Sequence, residues 1–343
     1  MRPFTLDHAA SAPAAITAAR PVAGAAAGPR VPPTAAPAQF IAGGTQMLDL
    51  MKLDAMQPAA LVDINALAAS HGRIEVKPDG LHLGALVRMS EAAAHPAIQR
   101  DYPVIAETLL MAASPQLRNM ASLGGNVLQR TRCTYFRDTG WTQCNKREPG
   151  SGCAALDGVN RKHAVLGVSD RCIAAYSGDF AQALVALGAE VQTTGANGSR
   201  TIAFADLHTG SDNPHTETVL APGELITGFR VPAGPWTRRS AYVKVRDRES
   251  YAYGLATAAV ALDLQGGVVR EARIGLGAVS YKPWRAHEAE AALRGKPLTE
   301  DAAAAAAQAA FAGARPRQDN AYLIDLGRRT LARALMQAGR MEA

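Results

Sequence analysis

Residues 40–47 read FIAGGTQM, and this stretch decides how the N-terminal part of the chain folds. A short apolar run stops at Gly43 and Gly44, and a helical pattern with apolar residues on one face begins at Met47. The pattern predicts a strand, a glycine turn and a helix. Glycines allow a backbone to approach a ligand closely, and the amide groups at the start of a helix point toward it. A glycine pair alone is more often an ordinary tight turn.

A second glycine pair lies in residues 122–126, which read SLGGN. Two glycine turns with hydroxyl and amide side chains beside them can close on a diphosphate from both sides. The chain has no G-x-G-x-x-G that opens a helix after a strand and no G-x-x-x-x-G-K-[ST], which argues against a Rossmann site and a P-loop. The two pairs together favour a nucleotide cofactor that is held in another way.

All four cysteines fall within 40 residues: Cys133, Cys144, Cys153 and Cys172. We expect a cytoplasmic chain by its own sequence, because residues 1–20 show neither a signal-peptide apolar region nor a twin-arginine pair. Thiols stay reduced there, so a metal centre is favoured over two disulfides. The spacing matches no C-x-x-C knuckle, and an iron–sulfur cluster, zinc, disulfides and unrelated thiols all stay open. We expect His163 to be a surface residue or a residue that contacts a ligand of the metal centre, and not a ligand itself.

Composition and charge limit the class of protein. The 343 residues are 48% hydrophobic and 19% charged, which is typical of a globular chain of about two domains, and no apolar run is long enough to span a membrane. Residues 118–171 contain nine basic and four acidic side chains, which is most of the chain's formal excess of six positive charges. Such cations would stabilise an anionic thiolate cluster. A solvated loop and a nucleic-acid surface are the alternatives.

Stretches rich in Pro and Gly, together with the strand and helix patterns between them, predict how the chain divides into domains. Residues 9–39 are rich in Ala, Pro and Gly and predict a weak helix followed by a flexible stretch. A Pro/Gly cluster at 231–235 predicts a domain boundary. Strand patterns and then helical patterns follow it, at 241–247, 255–264, 268–279, 300–314 and 319–338. Strands followed by helices indicate an α+β C-terminal domain, and alternation places Tyr242 and Lys244 on one face of its first strand.

Three motifs in this order carry a resemblance. Residues 40–45, 116–126 and 242–244 resemble the flavin-binding medium subunit of the molybdenum hydroxylases, the family of xanthine dehydrogenase and carbon monoxide dehydrogenase. The cysteine-bearing insertion, at about 127–175, resembles the subset whose flavin subunit carries an extra [4Fe–4S] cluster. That subset includes periplasmic aldehyde oxidoreductases and 4-hydroxybenzoyl-CoA reductases, and the aldehyde oxidoreductase type is the more similar.

The resemblance implies an α+β fold in two domains. Residues 1–230 would form a two-lobed FAD-binding domain of the PCMH or vanillyl-alcohol-oxidase type, and residues 231–343 a C-terminal domain of the carbon monoxide dehydrogenase flavoprotein type. The implied FAD contacts are Phe40, Ile41, Ala42, Gly43, Gly44, Thr45, Gln46, Met47, Ser114, Ser122, Gly124, Gly125, Asn126, Asp179, Ile226 and Lys244. Ile226 would contact the ring system, and Lys244 would lie near it, where a fixed cation favours the anionic reduced flavin. The implied cluster ligands are the four cysteines.

The implied function is electron transfer. The subunit would take electrons from iron–sulfur centres, hold two on FAD and pass them to an external acceptor such as dioxygen, a quinone or a ferredoxin. Its partners would be a molybdenum-cofactor large subunit and a [2Fe–2S] small subunit, and export with a signal-bearing partner would place the complex in the periplasm. One alternative is the flavin subunit of a 4-hydroxybenzoyl-CoA reductase. The other is a four-cysteine zinc protein that binds nucleic acid.

Overall fold

A computed structural model describes residues 1–19 and 32–342, and within these ranges the chain forms twelve strands in three sheets. The strands are β1 (Thr5–His8), β2 (Ala38–Ile41), β3 (Ala60–Asp63), β4 (Ile74–Lys77), β5 (Gly80–Gly84), β6 (Glu190–Gly195), β7 (Gly198–Ala203), β8 (Leu225–Pro232), β9 (Ser240–Arg246), β10 (Gly254–Gln265), β11 (Val268–Gly277) and β12 (Trp284–Arg285). Most of the stretch expected to be flexible lies outside the described residues.

The helices surround these sheets. They are α1 (Ala12–Ala18), α2 (Met47–Lys52), α3 (Ala68–His71), α4 (Met89–Ala94), α5 (Pro96–Asp101), α6 (Pro103–Leu110), α7 (Pro115–Met120), α8 (Leu123–Val127), α9 (Thr134–Arg137), α10 (Phe180–Leu187), α11 (Phe204–Leu207), α12 (His287–Leu293), α13 (Glu300–Ala310) and α14 (Tyr322–Gly339). The described residues contain no helix that is both long and apolar enough to cross a membrane.

The first sheet is small and parallel, in the order β1-β3-β2. Leu61 and Val62 of its central strand are buried, and Val62 packs in a core that includes Ala15 of α1. The strand, glycine turn and helix expected around residues 40–47 are confirmed as β2, a loop and α2. We call residues 41–46, which join β2 to α2, the first glycine loop.

A five-stranded antiparallel sheet, in the order β4-β5-β8-β6-β7, forms the second lobe. Helix α10 packs on it, and every residue of this helix is buried. The helix ends at Gly188, which adopts the left-handed conformation (φ 67°) that lets the chain turn back into β6.

The C-terminal sheet is antiparallel, in the order β12-β11-β10-β9, and helices α12–α14 cover one face. Its other face meets α10, because Gly275 and Gly277 leave room for Gln182 against the strand. The strands expected at 241–247, 255–264 and 268–279 are confirmed as β9, β10 and β11. The ranges 1–230 and 231–343 stay a prediction for the domains, although β8 ends at Pro232 and β9 begins at Ser240.

The second glycine pair differs from the expectation of a turn. Gly124 and Gly125 lie in the first turn of α8, and Ser122 caps this helix by accepting a hydrogen bond from the Gly125 amide at 3.2 Å. A side chain at position 124 would press on Ala85. Capping and close packing therefore outweigh the low helix propensity of glycine here.

Candidate functional site

The first glycine loop lies against the end of α7. A Cβ atom at Gly43 would overlap the carbonyl oxygen of Met120, so the close approach of the two backbones requires glycine. Gly44 has a positive φ of 69°, a conformation that other residues rarely adopt. The glycine pair in the sequence therefore marks the position where the loop passes close to the end of α7.

A series of side-chain hydrogen bonds connects this loop to the second lobe. The Asn65 amide donates to the Ala42 carbonyl at 3.1 Å, and Arg88 donates to the Asn65 amide oxygen at 2.9 Å. Arg88 also donates to the Met120 carbonyl at 2.5 Å, next to Gly43. Both glycine segments are thus held at a set separation before any ligand arrives.

Between the glycine segments lies a cavity of about 270 Å³, which we call the glycine cleft. Twelve of the sixteen predicted FAD contacts line it: Phe40, Ile41, Ala42, Gly43, Gly44, Thr45, Gln46, Met47, Ser122, Gly125, Asn126 and Asp179. Asn126 Oδ1 and Ser177 Oγ are buried on its wall without a hydrogen-bond partner. Buried polar atoms normally have partners, so the cleft fits a ligand that carries polar groups, as FAD does.

Four predicted contacts do not line the glycine cleft, and contact of these residues with FAD stays a prediction. Ser114 caps α7 by accepting from the Leu117 amide at 3.3 Å, and Gly124 packs against Ala85. Ile226 is buried in the core of the five-stranded sheet, because its strand β8 lies between β5 and β6. Lys244, the fourth, lines a neighbouring cavity.

The glycine cleft adjoins a larger cavity of about 890 Å³ between the insertion and the C-terminal sheet, which we call the insertion cavity. Thr45, Asp179 and Tyr253 are among the residues that line both. Lys244 and Cys133 both line the insertion cavity. The predicted flavin residues and the first cysteine therefore line two neighbouring cavities that share a wall.

A buried ion pair lies at the junction of the two cavities. Asp179 accepts from the Tyr242 hydroxyl at 2.6 Å and from Lys244 Nζ at 2.8 Å. The Lys244 side chain is only 1% exposed, although an isolated lysine on a strand is usually solvated. Burial raises the pKa of the Asp179 carboxyl, and the neighbouring Lys244 opposes that rise. Burial, reinforced by Asp179, also holds the pKa of Tyr242 well above its usual value.

The four cysteines converge, and all four are free thiols. Cys144 and Cys153 pair in a short antiparallel bridge, Cys172 lies close enough to Cys153 for a hydrogen bond, and Cys133 packs against the small apolar clusters that contain the others. Among the described residues, no group of three or more His, Cys, Asp or Glu side chains is arranged to hold a metal ion. The thiols are gathered, but not in ligating positions.

Of the two positions expected for His163, the structure shows the one beside a predicted ligand and not the one on the surface. His163 is buried, and its Nε2 lies 3.2 Å from Cys133 Sγ, within hydrogen-bond distance. Burial lowers the pKa of the His163 ring and raises the pKa of the Cys133 thiol to about 12. These directions favour a neutral imidazole beside a protonated thiol when no metal is bound.

A buried charge network connects the insertion to the rest of the protein. Glu217 accepts from Arg130 at 3.1 and 3.2 Å and from Lys146 at 2.9 Å, and Lys146 also donates to the Tyr281 hydroxyl at 3.0 Å. Burial would raise the pKa of Glu217, but Arg130 and Lys146 outweigh it and hold this pKa at about 2. Sequence reasoning missed Glu217, because nothing local relates it to a residue 87 positions away.

Two family models match the chain. Residues 31–234 match the FAD-binding domain in molybdopterin dehydrogenase, and residues 240–339 match the carbon monoxide dehydrogenase flavoprotein C-terminal domain.

Similar proteins agree with these matches. The aldehyde oxidoreductase FAD-binding subunit PaoB of Escherichia coli K12 is 46% identical over 304 residues, which are 88% of this chain and 91% of that protein. The carbon monoxide dehydrogenase medium chain of Afipia carboxidovorans is 29% identical over 82% of this chain and 81% of its own length. A chain in the solved structure of carbon monoxide dehydrogenase from Hydrogenophaga pseudoflava superposes with a TM-score of 0.74 at 26% identity, over 98% of this chain and 97% of that one. The chain therefore belongs to the family of FAD-binding medium subunits of the molybdenum hydroxylases, and it is an oxidoreductase subunit.

Proposed function

We propose that this chain is the FAD- and [4Fe–4S]-carrying electron-transfer subunit of a molybdenum-dependent aldehyde oxidoreductase. The observation that carries the proposal is that Cys133 and the predicted flavin residue Lys244 line one cavity, which shares a wall with the glycine cleft. The 46% identity to a protein named as an aldehyde oxidoreductase FAD-binding subunit supports the substrate class.

Each part of the FAD site has a separate task in this proposal. The backbone amides of the first glycine loop and of the start of α8 would bind the diphosphate, since both glycine segments line the cleft. Asn126 and Ser177 would supply their free oxygens to the cofactor. Lys244, held by Asp179 at 2.8 Å, would place a positive charge beside the ring and favour its anionic reduced form.

The cysteines fit an iron–sulfur cluster by number and chemistry. Four thiolates are the ligand set of a [4Fe–4S] cluster, which supplies one-electron transfer when bound. The four cysteines already lie together in the insertion, although no ligating geometry has formed among the described residues. Metal binding commonly supplies folding energy to such a segment. We therefore propose that Cys133, Cys144, Cys153 and Cys172 complete their geometry only around the cluster.

The charges of the insertion argue against the nucleic-acid alternative. Five of the nine basic side chains in residues 118–171 already form ion pairs with carboxylates: Arg130, Arg132, Arg137, Lys146 and Lys162. Paired and partly buried cations are poor contacts for phosphates, because the pair must be broken first. The basic segment is thus used mainly within the protein.

The proposal includes partners that the chain alone does not contain. Relatives are named as medium chains, so we propose a heterotrimer with a molybdenum-cofactor large subunit and a [2Fe–2S] small subunit. Electrons would leave this subunit for an external acceptor, and co-export with a signal-bearing partner would place the complex in the periplasm.

The test is an anaerobic ultraviolet–visible spectrum of the purified chain, with iron, sulfide and zinc assayed on the same sample. We expect flavin bands over a broad iron–sulfur absorption, with about four irons per chain. Flavin with zinc, or flavin without any metal, would overturn the cluster. Aldehydes and aromatic acyl-CoA esters, tested with the complete complex, separate the aldehyde oxidoreductase from the 4-hydroxybenzoyl-CoA reductase alternative.

A further inference from the structure

Helix α2, which directly follows the first glycine loop, packs on the cysteine insertion. Its buried residue Leu50 lies in one apolar cluster with Phe136 of α9 and with Cys144. Met47, at the start of the helix, and Cys133 pack against the same cluster. The helix that presents the loop to the glycine cleft is thus supported by the segment that carries the thiols.

A salt bridge reinforces this contact. Asp49 of α2 accepts from Arg132 at 2.9 Å and from Arg137 at 2.9 and 3.1 Å, and these two arginines flank Cys133 in the sequence. The adjacent loop is connected as well, because the Arg130 amide donates to the Gln46 side-chain oxygen at 3.0 Å. Both arginines therefore bind helix α2 through Asp49.

We infer that Asp49 is a positioning residue through which the state of the cysteine site sets the affinity of the first glycine loop for FAD. The inference rests on the proposed iron–sulfur centre. Occupied thiols would raise FAD affinity, and bound FAD would stabilise the occupied centre to the same extent, since coupling between two sites is reciprocal.

The local structure explains how the coupling travels. Helix α9 has four residues and directly follows Cys133, its N-cap residue, whose carbonyl accepts from the Arg137 amide at 3.0 Å. So short a helix is unstable by itself, and fixing Cys133 in a metal centre would order it. Ordering α9 would fix the positions of Arg132 and Arg137. Their salt bridges would in turn fix the position of Asp49 and of the loop that precedes α2.

The experiment compares FAD affinity in two iron states. The full chain is purified anaerobically with iron bound, and half is stripped with a chelator and freed of flavin alongside the rest. FAD is titrated into each sample, and its Kd is read from quenching of flavin fluorescence. Stripping should weaken FAD binding in the wild type by about 5- to 100-fold, the usual range for coupled sites. In Asp49→Asn the loaded and stripped chains should bind FAD within about twofold of each other.

Glu190→Gln is the matched control. Glu190 is 35% exposed, as Asp49 is, and it also pairs bidentately with an arginine, Arg230, at 2.8 and 2.9 Å. It lies outside the walls of both cavities. This variant should keep the full wild-type dependence on iron. The ratio of the two Kd values is the readout, because a general loss of structure or of charge would shift both values together.

Arg137→Lys is the second variant, which keeps the charge but removes the two-point contact, and it should show an intermediate ratio. It also serves if Asp49→Asn does not fold. A wild-type Kd that is unchanged by stripping overturns the inference and leaves the proposed function standing, and so does an Asp49→Asn ratio equal to the wild-type ratio. A purified chain that binds no iron overturns both.

Discussion

Asp179 joins two partners that come from a strand distant in the sequence. Alternation along β9 could place Tyr242 and Lys244 on one face, because side chains of a strand point in turn to opposite sides. The hydrogen bonds of both residues to Asp179 could not be foreseen, since that carboxylate follows a loop 63 to 65 residues earlier. Local periodicity thus predicts orientation, while a tertiary contact decides the partner.

Removing Lys244 from this pair should lower the stability of the folded protein. Lys244→Met leaves the buried Asp179 carboxyl without its cation, and we expect a loss of about 3 to 5 kcal/mol in the free energy of unfolding, measured in urea at pH 7. The double variant with Asp179→Asn should recover much of that loss, because no buried charge remains. A double variant less stable than Lys244→Met would contradict the prediction.

Gly43 offers a test of the close approach at the first glycine loop. In Gly43→Ala the new methyl group would meet the Met120 carbonyl, so the loop must move and FAD affinity should fall by at least about tenfold. Gly313→Ala is the control, since a Cβ atom there meets nothing within 4 Å and the position has no positive φ. Equal FAD affinities in the two variants, by fluorescence titration, would argue against the loop as the binding element.

At the scale of elements, the sequence pattern predicts β2, α2 and the three long strands of the C-terminal sheet, because each has an apolar periodicity of its own. It fails for Gly124 and Gly125, where a serine cap and contact with Ala85 place a glycine pair in a helix. Tyr253, which lines both cavities, carries no local signal at all. Clustering in the sequence predicts a shared role for the four cysteines, and Cys133 packs against each of the apolar clusters with which the other three are associated, but their role as ligands stays a prediction.

The network that connects the insertion to the loop at Glu217 should make stability depend on pH. The folded pKa of Glu217, about 2, lies below its ordinary value of 4.5, so its contribution is present above pH 4.5 and is lost as the pH falls toward 2. Glu217→Gln should therefore be less stable than the wild type at pH 7, by about 3 kcal/mol, and this difference should shrink between pH 5 and pH 3.

His208 also titrates in this pH range. Its pKa is lowered by burial to about 4, so it also costs stability as the pH falls below 6.5. Glu217 is one of the charges that raise the pKa of His208, so the contribution of His208 cancels only in part in the difference between the two proteins. A difference that stays constant from pH 7 to pH 3, in urea unfolding, would mean that Glu217 is not the titrating group.

At the scale of the whole molecule, two matched family domains share a core. Tyr242, Ala259 and Ala261 of the C-terminal sheet belong to the same buried cluster as α10 of the FAD-binding region. The Pro/Gly cluster in the sequence predicts a domain boundary but not this shared core. Gly275 and Gly277 indicate close backbone packing within a strand, but nothing in the sequence identifies α10 as the element that packs there. Because Gly275 and Gly277 have no side chains, α10 can pack against both the five-stranded sheet and the C-terminal sheet.

A shared core should make the two regions unfold together. We expect a single urea transition in which release of bound FAD, tryptophan fluorescence and far-ultraviolet circular dichroism coincide. Trp284 lies in the C-terminal sheet and the glycine cleft lies in the other region. The tryptophan signal is therefore read in a background with Trp141 and Trp236 replaced by phenylalanine, so that the probes report on both sides of the contact. In Gly275→Val, the new side chain would overlap the backbone carbonyl of Gln182 in α10 and force the sheet away from this helix. The transitions should then separate, with FAD released at a different urea concentration from the tryptophan change, whereas Gly313→Ala should keep them together. Separate transitions in the wild type would show that the contact through α10 is too weak to couple the domains.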